Sequence, residues 1–425
     1  MVTSSNTSVA RPAAPGTSRR PLLAGTAAIV VCTIVTVMEG YSLIVYGSVV
    51  PALLQDPGLA LTPGMAGVLG SLIYAGMLVG AFSAGVVSDR VGRHPTLLVA
   101  ITLFGLGFLV TGLANSALVL GMARVLSGLG VGAAVTSALA LSRTHARSGR
   151  ASLVVNITMA GIPVGGAIAS LIGIGVLPAF GWRPMFLIGA GLTLLILLVV
   201  ASVRFDETKP APREADHAPR RSPVRELFSG RGALIAVLLV GVAIPNMFTW
   251  FGLNVWLTAA MTTLNYPLTS ALLFGFVLTA GAVIGSLVVS PLADRRSPVL
   301  AAVVTASLTV VGLAGIVAGI RFLPVLLLCV ALLGAGGHTT MNLLNAAASN
   351  LFPAAIRGTA MGWTNSMSYL GAVGPLLGGV IISSSLGAQG VFIVFGCSAC
   401  LAVLVLLVFT AVTRRPTTTP EVAHA

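Results

Sequence analysis

"GVVSDRVGRHP" runs from Gly85 to Pro95 and crowds Asp89, Arg90, Arg93 and His94 between two long apolar runs. A turn this charged, with flanks this apolar, marks a point where the chain leaves a bilayer and re-enters it. A degraded second copy, "ADRRSP", begins at Ala293. It keeps Asp294 and Arg295 but has Ser290 where Gly85 would stand. The first copy's "SDRVGR" begins at Ser88, an offset of 205. An independent pair, "LSGLGVG" from Leu126 and "LLGAGGH" from Leu332, is offset by 206. Two matches at nearly one offset indicate a duplicated unit.

Of the 425 residues, 56% are hydrophobic and 8% charged, with a mean hydropathy of +1.03. A soluble domain of this size needs a charged outer layer that this chain lacks. Segments of about 20 apolar residues span a bilayer. Twelve such segments centre near residues 38, 77, 105, 129, 162, 194, 246, 280, 308, 337, 369 and 400. The expected fold is an all-α membrane protein of twelve transmembrane helices, numbered 1 to 12 below, in two six-helix bundles. The longest polar stretch, extended to Arg231, separates six helices from six. The expected organisation is a disordered tail over 1–22, a bundle over 23–204, a central loop over 205–231, a second bundle over 232–412 and a tail over 413–425. Paired repeats with a binding site between them are an architecture of secondary transporters. Small-xxx-small pairs, Gly128/Gly132, Gly161/Gly165, Gly281/Gly285 and Gly374/Gly378, predict close helix packing.

The formal charge is +13, yet 20 of the 23 Lys and Arg fall in the two tails and the loops that share a side with the N-terminus. Only Arg124, Arg183 and Arg321 lie elsewhere. This positive-inside bias puts both termini in the cytoplasm of a multi-pass cell-membrane protein. It also removes nucleic acid as the reason for the basicity. Cys32, Cys329, Cys397 and Cys400 all lie in apolar segments. The CxxC of Cys397 and Cys400 has no partner His or second CxxC, so packing explains it better than redox or metal chemistry. Neither metal nor cofactor is expected. The absence of a nucleophile–base pair and of a soluble catalytic region argues against an enzyme. The expected partners are the bilayer, a small-molecule substrate and protons, with the chain as a monomer.

The Gly85–Pro95 loop resembles the signature loop of the major facilitator superfamily, Gly-x-x-x-Asp-Arg-x-Gly-Arg followed by a basic residue. Gly85, Asp89, Arg90, Gly92 and Arg93 match, and His94 stands in the basic position. The loop reads as a latch. Gly85 lets helix 2 approach a neighbour, and Asp89 faces the positive N-terminal end of helix 11 and pairs with Arg90 or Arg93. Within the superfamily, "MEGYSLIVYGSVVPAL" resembles helix 1 of the aromatic acid:proton symporter family. "RVLSGLGVGAAVTSALAL" is similar to its helix 4. "WFGLNVWLTAAMTTLNYPLTSALLFG" resembles its helix 7 and "FPAAIRGTAMGWTNSMSYLGAVGPLLGG" its helix 11. Departures are Glu39 and Ser42 for two aspartates and Tyr369 for a usual arginine. The acid common after helix 4 is absent. The resemblance implies uptake of a small aromatic or related organic acid.

Glu39 is the one acid deep in a span, and a carboxylate at mid-bilayer costs about 2.5–3.5 kcal/mol or more. Arg124, about a third of the way down helix 4, is expected to pair with it, since either alone is expensive. That pair is either a static brace or a proton-coupling device, and the lack of another deep carboxylate favours coupling. His338, Asn342 and Asn345 share one face of helix 10. Asn246, Trp250 and Asn254 do so on helix 7, and Asn365, Ser368 and Tyr369 on helix 11. Thr36, Ser42 and Tyr46 lie near Glu39 on helix 1. Together they predict a polar, aromatic-containing pocket, with Arg124, Tyr46, Asn246, Trp250, His338, Asn342 and Tyr369 as substrate contacts. Proton-coupled symport by alternating access is the reading. Proton-coupled efflux of a drug or metabolite is the alternative, disfavoured because helix 5 matches the efflux Gly-Pro motif poorly.

Overall fold

The computed structural model describes residues 22–23, 25–146, 151–205, 223–353 and 355–414. The two predicted tails, apart from their inner edges, and most of the central loop lie outside the described residues.

Twelve helices are long and apolar enough to cross a bilayer, and each predicted centre falls in one of them. Helices 1 to 4 are Thr26–Leu54, Pro63–Val91, Arg93–Leu113 and Ala117–Thr144. Helix 5 comes as Ala151–Met159 and Gly161–Phe180, and helix 6 is Arg183–Ser202. Helices 7 to 10 are Gly230–Thr263, Leu268–Arg295, Pro298–Val317 and Leu323–Leu351. Helix 11 is Arg357–Ser368, a 3-10 turn Tyr369–Ala372 and Val373–Ile382, and helix 12 is Gly387–Arg414. The duplication is visible in the starts: Pro63 and Leu268 are 205 apart, Arg93 and Pro298 205, and Ala117 and Leu323 206. The protein is a multi-pass membrane protein.

Local chemistry sets the boundaries. Thr62 caps helix 2, its hydroxyl accepting the Met65 N–H at 3.2 Å, with Pro63 in the first turn. Ser116 caps helix 4 through the Val119 N–H. Helix 5 breaks at Ala160, where Pro163 cannot donate back to the Met159 carbonyl. Helix 11 tightens to 3-10 geometry between Ser368 and Val373, two residues before Pro375. Its two halves then flank a turn at mid-membrane depth, which carries Tyr369.

Glycine governs packing inside each half. A Cβ on Gly165 would lie 1.7 Å from the Val37 carbonyl oxygen, and one on Gly40 1.7 Å from that of Ile162, so helices 1 and 5 touch backbone to backbone. The Gly128/Gly132 and Gly281/Gly285 pairs seat helices 4 and 8 in the same way, against helices 2 and 10. Cys397 and Cys400 are exposed on helix 12 rather than packed, which corrects the packing expectation for them: that face of the helix points away from the bundle.

At the end away from the chain termini, Asp56 ties together loops of the first half. Its Oδ2 accepts from Trp182 Nε1 at 2.8 Å and Arg183 Nη1 at 3.0 Å, and its Oδ1 accepts the Gly58 N–H at 2.9 Å. Arg183 also reaches the Ala114 carbonyl. The Trp182 donor first, with Gly58 and Arg183, holds the Asp56 carboxyl below its usual range.

Among the described residues the halves meet toward this same end, and helices 5 and 8 stay in contact to mid-membrane depth, where a Cβ on Gly166 would touch the Thr279 side chain. Gly47 of helix 1 lies against helix 7, where an added Cβ would fall 1.8 Å from the Asn254 carbonyl oxygen. Gly67 lies under Pro375, Gly379 under Pro63, and Ser71 donates to the Ala372 carbonyl at 2.6 Å. Toward the termini the halves part: Gly85, Gly358 and Gly362 have open space where a Cβ would point. The molecule is closed at one end and open at the other. Gly47→Ala should therefore oppose closure, since backbone cannot yield as a side chain does. Overpacking costs about 1–3 kcal/mol, which should slow transport roughly tenfold. Cysteines placed on the closed seam should gain labelling in this variant; unchanged labelling and rate would show that the seam is not a gate.

Candidate functional site

Helical register decides which predicted residues meet. At about 1.5 Å per residue, Arg124 lies about 10 Å below the Ala117 end of helix 4, and Tyr46 about 12 Å below the Leu54 end of helix 1. These two are level, and the Arg124 guanidinium sits 4.3 Å over the Tyr46 ring. Glu39 lies about 22 Å below the same end. The offset of about 12 Å exceeds what the two side chains span, so the expected Glu39–Arg124 pair is not formed. Arg124 Nε instead donates to the Leu69 carbonyl at 3.4 Å, and its terminal nitrogens have no protein acceptor among the described residues.

Glu39 is 5% and Arg124 2% exposed. Glu39 Oε2 and, three residues on, Ser42 Oγ are buried without hydrogen-bond partners. The first half thus holds one deep acid and one deep base, each without a counter-ion among the described residues.

The second half supplies aromatic and amide groups. Trp250 lies 5.8 Å from His338, centroid to centroid, and Asn342 Nδ2 lies 3.3 Å from His338 Nδ1. Asn345 Nδ2 donates to Asn365 Oδ1 at 3.1 Å, joining helices 10 and 11. Asn246 spends its amide on the Gly337 carbonyl at 2.9 Å, so it braces helix 7 on helix 10. Asn254, two turns on from Asn246, is drawn into the closed seam instead. Thr36 donates to the Thr158 and Thr33 carbonyls and faces helix 5, away from the pocket. Tyr369 stands in the 3-10 turn, its ring nearly parallel to Phe251 at 6.4 Å.

In the loop of Gly85, Asp89, Arg90, Gly92 and Arg93, the expected ion pair of Asp89 is absent. Asp89 and Arg90 are exposed and form no hydrogen bond or ion pair among the described residues. Arg93 turns to helix 4, donating to the Ala140 carbonyl at 3.3 Å and Thr144 Oγ1 at 2.6 Å. Among the described residues Asp89 makes no hydrogen bond or ion pair with the start of helix 11, and the halves are apart at this end. A latch role for this loop requires an arrangement in which the halves meet at this end. Asp89→Asn should therefore lower turnover severalfold while leaving substrate affinity near wild type. Equal turnover in the well-expressed variant, measured by counterflow, would rule the latch out.

The family model of the Major Facilitator Superfamily matches residues 32–373 and 318–425. The chain belongs to this superfamily. A gentisate transporter of Corynebacterium glutamicum is 32% identical, the match covering 93% of this chain and 90% of that one. A benzoate transport protein of Acinetobacter baylyi is 28% identical over 84% of each chain. Among solved structures, a D-xylose-proton symporter aligns with a TM-score of 0.72 at 19% identity, covering 89% of this chain and 96% of that one. A bacterial homologue of the lysosomal transporter Spinster, inward-facing and unoccupied, aligns at 0.71 with 16% identity, covering 92% and 97%. The protein is a major facilitator transporter homologous to aromatic acid transporters, and not an enzyme.

Two features of this major facilitator protein escape a reading of its sequence. Asp56 and its Trp182 and Arg183 partners stand 126 and 127 residues apart, in loops that carry no periodic signal. Tyr74, buried on helix 2, is stacked on Phe251 of the other half at 3.9 Å. Its only sequence signal is a lone phenol in an apolar run.

Proposed function

We propose that this transporter is a proton-coupled symporter that takes up a small aromatic carboxylate by alternating access. The observation that carries the reading is the pair of unmatched charges in the first half. A buried acid without a cation is costly as an anion and cheap when it carries a proton. A buried arginine without an anion is a fork waiting for a carboxylate. The positive-inside distribution assigns the open end to the cytoplasm, which makes this arrangement inward-open.

From the outside, a proton neutralises Glu39 and the substrate carboxylate docks on Arg124. Tyr46, Trp250 and Tyr369 pack on its ring, and His338 and Asn342 offer hydrogen bonds at its far edge. After the far end closes, the proton leaves Glu39 toward the cytoplasm. A second anion in the same half then repels the carboxylate and favours release. Relatives named for gentisate and benzoate support an aromatic acid as cargo. One proton with one monocarboxylate moves no net charge, so the pH gradient supplies the drive. Whole-cell uptake of labelled gentisate, benzoate and aliphatic acids, with and without an uncoupler, tests the reading. Uncoupler-sensitive uptake of aromatic acids alone is expected. Uptake that ignores the uncoupler, or prefers aliphatic acids, would overturn it.

A further inference from the structure

The chain has five tyrosines, and their hydroxyls are not in equivalent settings. Tyr266 lies in the loop after helix 7, at the closed end. Tyr41 donates to the Met185 carbonyl and Tyr46 to the Ala66 carbonyl, each at 2.7 Å. These two behave as core tyrosines do, with the phenol tied to backbone. Tyr74 and Tyr369 have no hydroxyl hydrogen bond to protein among the described residues.

Tyr74 alone of these two is in the half that holds Glu39 and Arg124. It lies about 16 Å below the Pro63 end of helix 2, at about 1.5 Å per residue. That is midway in depth between Arg124 at about 10 Å and Glu39 at about 22 Å. One turn nearer the closed end, Gly70 faces Tyr46 and Val255, so this side of helix 2 looks into the space between helices 1 and 7. Glu39, Arg124 and Tyr369 are all within electrostatic reach of the Tyr74 phenol. Tyr369, from the 3-10 turn of helix 11 in the other half, is the further titratable group that faces Glu39. Helix 5 carries none, helix 6 has only Arg183 at its outer end, and helices 7 and 8 have charges only near the open end. The Tyr74 ring makes a deep contact across the closed seam, its stack on Phe251. A phenylalanine would stack equally well, so the hydroxyl is not explained by packing.

We propose that Tyr74 is a positioning residue for proton coupling: its hydroxyl donates a hydrogen bond to ionised Glu39, and its ring carries that state to the other half through Phe251. The proposal rests on Glu39 as the proton carrier. The Tyr74 proton stays on the phenol throughout. What changes is whether Glu39 accepts from it.

The test uses the full chain in proteoliposomes with labelled gentisate as the probe. Tyr74→Phe keeps the stack and removes the donor. A carboxylate that loses a donor is protonated more readily, so the pH midpoint of gradient-driven uptake should move up by about half a unit or more. In a Glu39→Gln background, Tyr74→Phe should change counterflow by less than about twofold, because the hydroxyl acts only through the missing carboxylate. A midpoint unchanged by Tyr74→Phe, or an equal further loss in the Glu39→Gln background, overturns the proposal. So would Tyr74→Phe matching Tyr74→Leu, which removes the stack too, since the role would then be packing. If wild type itself shows no gradient-driven uptake of gentisate, the symport reading fails first, and that outcome is distinct from a coupled wild type with a silent Tyr74→Phe.

Discussion

Glu39→Gln abolishes accumulation of substrate against a gradient and leaves counterflow measurable. The amide fills the same space, carries no charge at any pH and imitates the protonated acid. Because Glu39 has no cation partner among the described residues, the substitution breaks no ion pair seen there, and the folded protein should express at wild-type levels. Removing a charge from mid-bilayer should even ease insertion. The cycle is then confined to exchange: substrate bound on Arg124 can cross in either direction, but nothing ties its release to a proton. Uncoupler-sensitive accumulation by this variant would remove Glu39 as the carrier, whatever its expression.

Arg124→Ala should weaken binding of an aromatic carboxylate a hundredfold or more. Charge-assisted hydrogen bonds contribute about 1.5–3 kcal/mol each, and a fork that makes two of them accounts for about 3 kcal/mol or more, or at least two decades in dissociation constant. Arg124→Lys retains the charge and loses the planar fork, so a loss nearer tenfold is expected. The lysine also loses the stack on Tyr46, whose face receives the guanidinium at 4.3 Å. Since Arg124 and Glu39 are not in contact, Arg124→Ala should leave the pH dependence of residual counterflow close to wild type. Dissociation constants for benzoate on purified protein provide the measure. Equal constants for wild type and both variants would mean that the cargo is neutral or bound elsewhere.

The fold was legible in the sequence because the bilayer imposes long apolar segments, and because duplication repeats the Asp-Arg loop and the helix 4 glycines at one spacing. The second half of helix 11 was less so: the 3-10 turn at Tyr369 depends on Gly371 and Gly374 fitting against Phe248, a contact between distant segments. For the site, the residue types were readable and their partners were not. The presence of Glu39 and Arg124 suggested a pair, whereas their depths, countable along each helix, oppose it. Asn246, Asn254 and Thr36 shared the periodicity of pocket residues, but neighbouring helices claim them, and helical spacing gives a face without saying which helix lies against it. Asp89 was read as a made contact because its motif names the residue types and not the distance between the halves, which are apart at its end in the structure.

The most direct test of proton coupling is an imposed pH gradient across proteoliposomes holding the full chain, with the membrane potential clamped at zero. With the lumen one pH unit more alkaline, one-to-one symport of a monocarboxylate should drive labelled gentisate toward a roughly tenfold excess inside, at an initial rate several times that of the neutral acid's leak into liposomes without the protein. The same vesicles holding Glu39→Gln should fill against the gradient no faster than protein-free liposomes. Wild-type vesicles that never exceed the protein-free control, or that respond to membrane potential and not to the pH gradient, would contradict the account.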